Sequence, residues 1–254
     1  MLSASFKRPR VLTTAARKRA SYASPAILAR RTRILDLTRE LIAEQGLSGF
    51  SVSELGQRAH VAKQTIYNIF QTKERMIATA INEYFERRED EIQYGSPQGT
   101  LERMIERTLI AGRRGAAQPN YMAALMMVYF SSDPDADIWA AIQRSTVHAH
   151  KSWIENLAAN GLLQSWIDPE VLIADLALLG NGITFEWCRG HIGIEEALRR
   201  KVVGLLTAMT GATRAPIRGD IEARLEQIAL HGLPDYRPPT DTPPPRKPTR
   251  LTSA

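Results

Sequence analysis

The chain has 254 residues, 44% of them hydrophobic, which is enough for one large domain or two modest ones, each with a core. Its single cysteine, Cys188, excludes an intrachain disulfide and fits a reducing cytosol; the longest uninterrupted apolar stretch, around Met122–Phe130, falls far short of the roughly 18 residues that a membrane span requires, and no apolar run follows the start to suggest a secretory signal. The formal charge of +6 is uneven: residues 1–33 hold nine Lys and Arg and no acid, while the remainder carries 24 bases against 27 acids, so the basic character belongs to an N-terminal arm and not to the body.

Residues 1–25 are basic, rich in Ser, Thr and Ala, and without period, which reads as a disordered arm. Three readings of that arm stay open: a DNA-contacting arm, an extension without function, and a targeting peptide. A first helix is predicted over about Arg31–Gln45, with Ile34, Leu37 and Leu41 on one stripe and Gly46 as its C-cap. Ser51 then caps a short helix, Val52–Ala59, with Glu54 placed to close a capping box and Phe50 and Leu55 to form a hydrophobic staple. The turn His60-Val61-Ala62 leads to a second short helix, Lys63–Phe70, and Thr72 caps a longer one from Lys73 to about Ile92. Beyond it the pattern predicts about six more helices. They lie over 100–114, from Pro119 to about Phe130, from an Asp133-Pro134 cap to Asn160-Gly161, over Pro169–Cys188, from Ile194 through Met209, and over about Asp220–Leu230. Residues 233–254 form a proline-rich tail unable to enter helix or sheet. The fold class is therefore all-α, with about nine to ten helices. Residues 26–77 form a helix-turn-helix DNA-binding domain, and 78–232 a second helical domain.

Three helices with a tight connection between the second and third make the geometry that lays a reading helix in a major groove. The helix at 63–70 presents Lys63, Gln64, Thr65, Tyr67 and Asn68, a polar reach unusual for a strut, while Val61, Ile66, Ile69 and Phe70 supply its buried side. The bland alternative is a generic three-helix packing unit. Gly56 inside a helix costs about 1 kcal/mol relative to alanine.

The run from Gly46 to Val52, then Glu54-Leu55, Ala59, Val61 to Tyr67, Phe70 and Lys73-Glu74, resembles the DNA-binding segment of the TetR (TetR/AcrR) regulators, over roughly 45 residues. This chain departs from the family pattern at Gly56, where alanine is usual, and at His60, where glycine is usual. The resemblance implies phosphate contacts from Thr65, Tyr67 and Lys73. It places Lys63, Gln64 and Asn68 near bases or phosphates, and Ser51 within the same DNA-binding set. It further implies a homodimer on a palindromic operator in double-stranded DNA, built through the helices at 169–188 and 194–211. The second domain would hold a small, hydrophobic effector, and repression rather than activation would follow. A cavity is expected near Met122, Met126 and Trp153, with Tyr129 and Phe185, although each is also explained as core or dimer contact. The same resemblance implies a bacterial, cytoplasmic protein, nucleoid-associated when bound to DNA, with no membrane partner. The rival is an architectural DNA binder of this fold without an effector. No catalytic constellation, metal site or cofactor is expected: His148 and His150 point to opposite faces of a helix, and Cys188 with His191 makes only half a zinc site.

Overall fold

The structure is a computed structural model that describes residues 25–236. Among these residues the chain forms ten α-helices and no strand, apart from an isolated antiparallel bridge between Leu163 and Thr213. In order they are α1 (Pro25–Gly49), α2 (Val52–Ala59), α3 (Lys63–Phe70), α4 (Lys73–Asp90), α5 (Leu101–Ala116), α6 (Pro119–Tyr129), α7 (Ala136–Ala159), α8 (Pro169–Cys188), α9 (Ile194–Ala212) and α10 (Ile217–His231). Five of these helices, α2, α4, α5, α7 and α8, start at a side-chain cap. Thr72 accepts the Arg75 amide at 3.0 Å, and Asp168 accepts the Glu170 amide at 2.9 Å with Pro169 at the first helical position.

Three expectations need correction. α1 begins at Pro25, about two turns before Arg31. Its first turns are exposed, so no buried stripe announces them, but proline at the start and the alanines and leucine after it are compatible with helix. α7 is capped by Asp135 rather than Asp133, because the Asp135 carboxylate reaches the amides of Asp137 and Ile138, both at 3.0 Å. The capping box at α2 is half made. Ser51 Oγ accepts the Glu54 amide at 3.4 Å, while the Glu54 carboxylate turns to Gln45 Nε2 at 2.9 Å and Arg58 at 2.6 Å, tying α2 back to α1. Gly46 does break α1, at φ 69° and ψ 174°. Of the nine N-terminal bases, Arg31 and Arg33 have structural partners: Arg31 pairs with Glu83, and Arg33 donates to the Arg58 carbonyl. Lys7, Arg8, Arg10, Arg17, Lys18 and Arg19, with nearly all of the proposed arm and most of the proline-rich tail, lie outside the described residues.

Two apolar clusters organise the fold, and they do not divide at 77/78. The first joins α1, α2 and α3 through Ile34, Leu41, Leu55 and Ile66 to Ile77 and Ile81 of α4, then continues into Leu125 of α6 and Ile142 of α7. The second packs the far half of α7, including Trp153, against α5, α8, α9 and α10. α4 belongs to the first cluster, which it joins through Met76, Ile77, Ile81 and Tyr84, and it also packs against α7. α8 alone among the described helices is long and apolar enough, by composition, to cross a membrane. Here it lies against α6, α7 and α9, burying Ile173, Leu176 and Asn181 and leaving Val171, Leu178 and Leu179 exposed.

Candidate nucleic-acid interface and interior cavity

The α2–α3 turn sets the aim of α3. His60 sits at φ 55°, ψ 45°, the left-handed conformation, and its amide donates to the Gln57 carbonyl at 3.2 Å while Val61 N donates to Gly56 O at 3.0 Å. That closure presses the turn onto α2: a Cβ on Gly56 would lie 2.9 Å from the Val61 carbonyl, a backbone atom that has little room to move. Gly56 is therefore a requirement of this turn and not merely a lapse in helix propensity. Opposite signs are expected from two substitutions. His60→Gly relieves left-handed strain of about 1–2 kcal/mol and raises the melting temperature. Gly56→Ala lowers it, despite a propensity gain of about 1 kcal/mol. A Gly56→Ala protein that melts higher than wild type would refute the close approach.

α3 starts without a side-chain cap, since Ala62 offers only its backbone. Lys63, Gln64 and Asn68 are exposed, Thr65 and Tyr67 are half-buried, and Ile66 and Phe70 are buried. Gln64 Nε2 donates to Asn68 Oδ1 at 3.0 Å, so the two amides occupy one outward face at helical spacing. Ser51 is occupied in capping α2. Lys73 is held inward: its ammonium donates to the Phe50 carbonyl at 3.0 Å and lies 5.5 Å from the Phe50 ring centroid. An ammonium has three donors, so this contact leaves two for an anion.

A cavity of about 580 Å³ lies between α4, α5, α6, α7, α8 and α9, within the range of roughly 300–1,000 Å³ usual for small-molecule sites. Met122 and Met126 line it. Tyr129, Trp153 and Phe185 do not. Tyr129 stacks on Trp139 at 5.7 Å and donates to Gln143 Oε1 at 2.7 Å. Trp153 is buried in the second cluster, and Phe185 packs on Phe130. The wall also holds polar groups that patterning did not assign to a cavity: Glu89, Arg107, His150, Asn181 and Lys201. Glu89 accepts two bonds from Arg107, both at 2.8 Å, and one from Tyr94 at 2.9 Å. Burial works against its ionisation, but these partners outweigh it and hold the carboxyl below its usual range. Asn181 was masked by the apolar helix around it, and Lys201 by the Arg199-Arg200 pair before it, which reads as a solvated face. The available signal was spacing: Lys201 stands three residues after Leu198 and four before Leu205, both buried. His150 is buried while His148 is exposed, and His191 pairs with Glu186 at 2.9 Å. Among the described residues no three metal-binding side chains converge.

Residues 34–80 match the model of the bacterial regulatory proteins of the tetR family. A segment covering 37% of this chain is 31% identical over 104 residues to the HTH-type transcriptional repressor KstR of Rhodococcus jostii, and spans about half (49%) of that relative's length. Among solved structures, a TetR-family regulator from Rhodococcus sp. superposes with a TM-score of 0.57 at 19% identity, over 71% of this chain and 99% of that one. The regulator FadR from Bacillus subtilis, solved with stearoyl-CoA, gives 0.52 at 18% identity, over 68% and 98%. At these identities the superpositions speak for the fold.

Proposed function

We propose that this chain is a TetR-family transcription regulator, a sequence-specific repressor which binds a palindromic operator as a homodimer and is released by a small, largely apolar ligand. The observation that carries this reading is that α4 connects the helix-turn-helix core to the cavity. Its first half packs Met76 and Ile77 into the core that positions α3, and its second half, from Asn82 to Asp90, lines the cavity. Arg87 also reaches Asp36 of α1 at 3.4 Å, and Arg31 of α1 pairs with Glu83. A ligand that favours one position of α4 thereby changes the aim of α3, and two reading helices lose their common fit to the operator.

The exposed stripe Val171, Leu178 and Leu179 on α8 supports a dimer in which α8 and α9 of two chains form a four-helix bundle. Two half-sites then compensate for the short reach of a single α3. The cavity favours this reading over an architectural binder without effector, and a cytoplasmic setting goes with it. The Bacillus subtilis neighbour was solved with stearoyl-CoA, whose acyl chain is long and apolar, and this supports the reading.

The test is selection of bound fragments from random DNA by the full chain, followed by salt titration of the best binder. One palindromic motif is expected, with affinity falling steeply as salt rises and lost on Lys63→Ala. Tight, salt-sensitive binding without any motif would overturn the specific regulator in favour of the architectural reading.

A further inference from the structure

The cavity's polar groups are incompletely matched. Asn181, 3% exposed, accepts from the Thr146 hydroxyl at 3.2 Å through Oδ1, while its Nδ2 has no partner. Buried His150 likewise leaves Nδ1 without one. Lys201, on the same wall, forms no ion pair or hydrogen bond with any described residue. Buried donors are ordinarily satisfied, and an ammonium half-buried in a cavity wall, as that of Lys201 is, is ordinarily paired.

No acid in the cavity is free to serve. Glu89 is engaged by Arg107 and Tyr94, while Glu86 and Asp90, at the end of α4, are exposed. Arg107 is engaged by Glu89, and Arg114 donates to the Arg88 carbonyl at 2.6 Å while its Nε has no partner among the described residues; Arg144, also on the wall, is exposed to solvent. Met122, Leu125, Met126 and Ile142 supply an apolar part of the wall.

Resting on the reading of this cavity as the effector site, we propose that its ligand is an apolar carboxylic acid whose carboxylate is bound by Lys201 together with the unpartnered donors of Asn181 and His150. A carboxylate supplies what the wall lacks: two acceptor oxygens and one negative charge. A neutral apolar ligand would cover the same surface and leave these groups unmatched. Burial pushes the Lys201 ammonium down to about 8 and keeps His150 neutral, at about 3, so that its ring can offer Nδ1–H. An anion at this point offsets the burial of the ammonium, which is the condition for holding it charged.

The test uses the full chain and two probes of the same length, 11-(dansylamino)undecanoic acid and its methyl ester, titrated by dansyl fluorescence at neutral pH. The acid is expected to bind about tenfold or more tightly than the ester. Lys201→Met should remove that preference by weakening the acid and leaving the ester within about twofold. Lys201→Gln, which keeps a polar end, carries the same expectation should the methionine variant not fold. Equal affinities in the wild type, or a preference that survives both variants, would overturn the acid while leaving the cavity as a ligand site. Failure of both probes to bind would overturn the ligand-site reading with it.

Discussion

Ile66→Ala is expected to destabilise the protein by about 2–5 kcal/mol and to weaken operator binding by about tenfold or more. α3 has eight residues, too short to hold itself as a helix, and it buries two side chains, Ile66 at 1% exposure and Phe70. Ile66 also lies beneath the turn, its Cδ1 3.8 Å from the place a Gly56 Cβ would take. Truncating it opens a cavity under the helix whose orientation does the reading, so stability and recognition fall together. Asn68→Ala separates the two. Asn68 is exposed, and its loss should leave unfolding within about 0.5 kcal/mol of wild type while costing about 1–3 kcal/mol in operator binding if it contacts a base. Thermal melting and fluorescence anisotropy on the selected operator check both. An Ile66→Ala protein that melts early but binds DNA as tightly as wild type would mean that α3 is positioned by the DNA and not by this core.

How much of this was legible follows from how local each cause is. Ser51, Thr72, Asp168, Pro119 and Gly46 act on backbone within one turn, and each marks a helix boundary in the structure. The start of α1 escaped because its first turns bury nothing, and Asp133 was preferred to Asp135 because two acids in one short segment compete for one cap. A left-handed His60 is implied by the resemblance, which has glycine at that position, but the contact that makes Gly56 necessary is a through-space approach of Val61, invisible to propensity. The cavity was the least legible part. Its wall is decided by how six helices meet, so Met122 and Met126 reach it while Trp153, equally bulky and apolar, is consumed by packing. Asn181 and Lys201 show the same limit from the polar side: the sequence carries their chemistry, but only the fold shows that Asn181 Nδ2 and Lys201 have no hydrogen-bond partner among the described residues.

The link between α4 and α5 depends on one carboxylate, and Glu106→Ala should cost about 1.5–3 kcal/mol of stability. Glu106, 4% exposed on α5, accepts the Gly95 amide at 2.8 Å and the Ser96 amide at 2.9 Å, holding the loop that leaves α4 against the helix that follows. Arg103 fastens the same loop by donating to the Ser96 carbonyl at 2.7 Å. Burial raises the pKa of the Glu106 carboxyl, but the two amides, the Ser96 hydroxyl and Arg103 outweigh it and hold it below its usual range. The sign of the pH dependence follows. A lowered folded pKa means that the ionised carboxylate favours folding; the stabilisation is complete above the unfolded value, about 4.3, and is lost as the pH falls through the lower folded value. Glu106→Gln keeps one acceptor and cannot ionise, so its deficit against wild type should be largest near neutrality and should shrink as the pH is taken from 6 towards 3. The other carboxylates titrate in both proteins and cancel in the difference. Paired melting curves across that range measure it directly, and a deficit unchanged by pH would show that Glu106 holds the loop by shape alone. A shrinking deficit would identify the carboxylate charge as what fixes the loop after α4, the helix whose second half lines the cavity and whose first half supports α3.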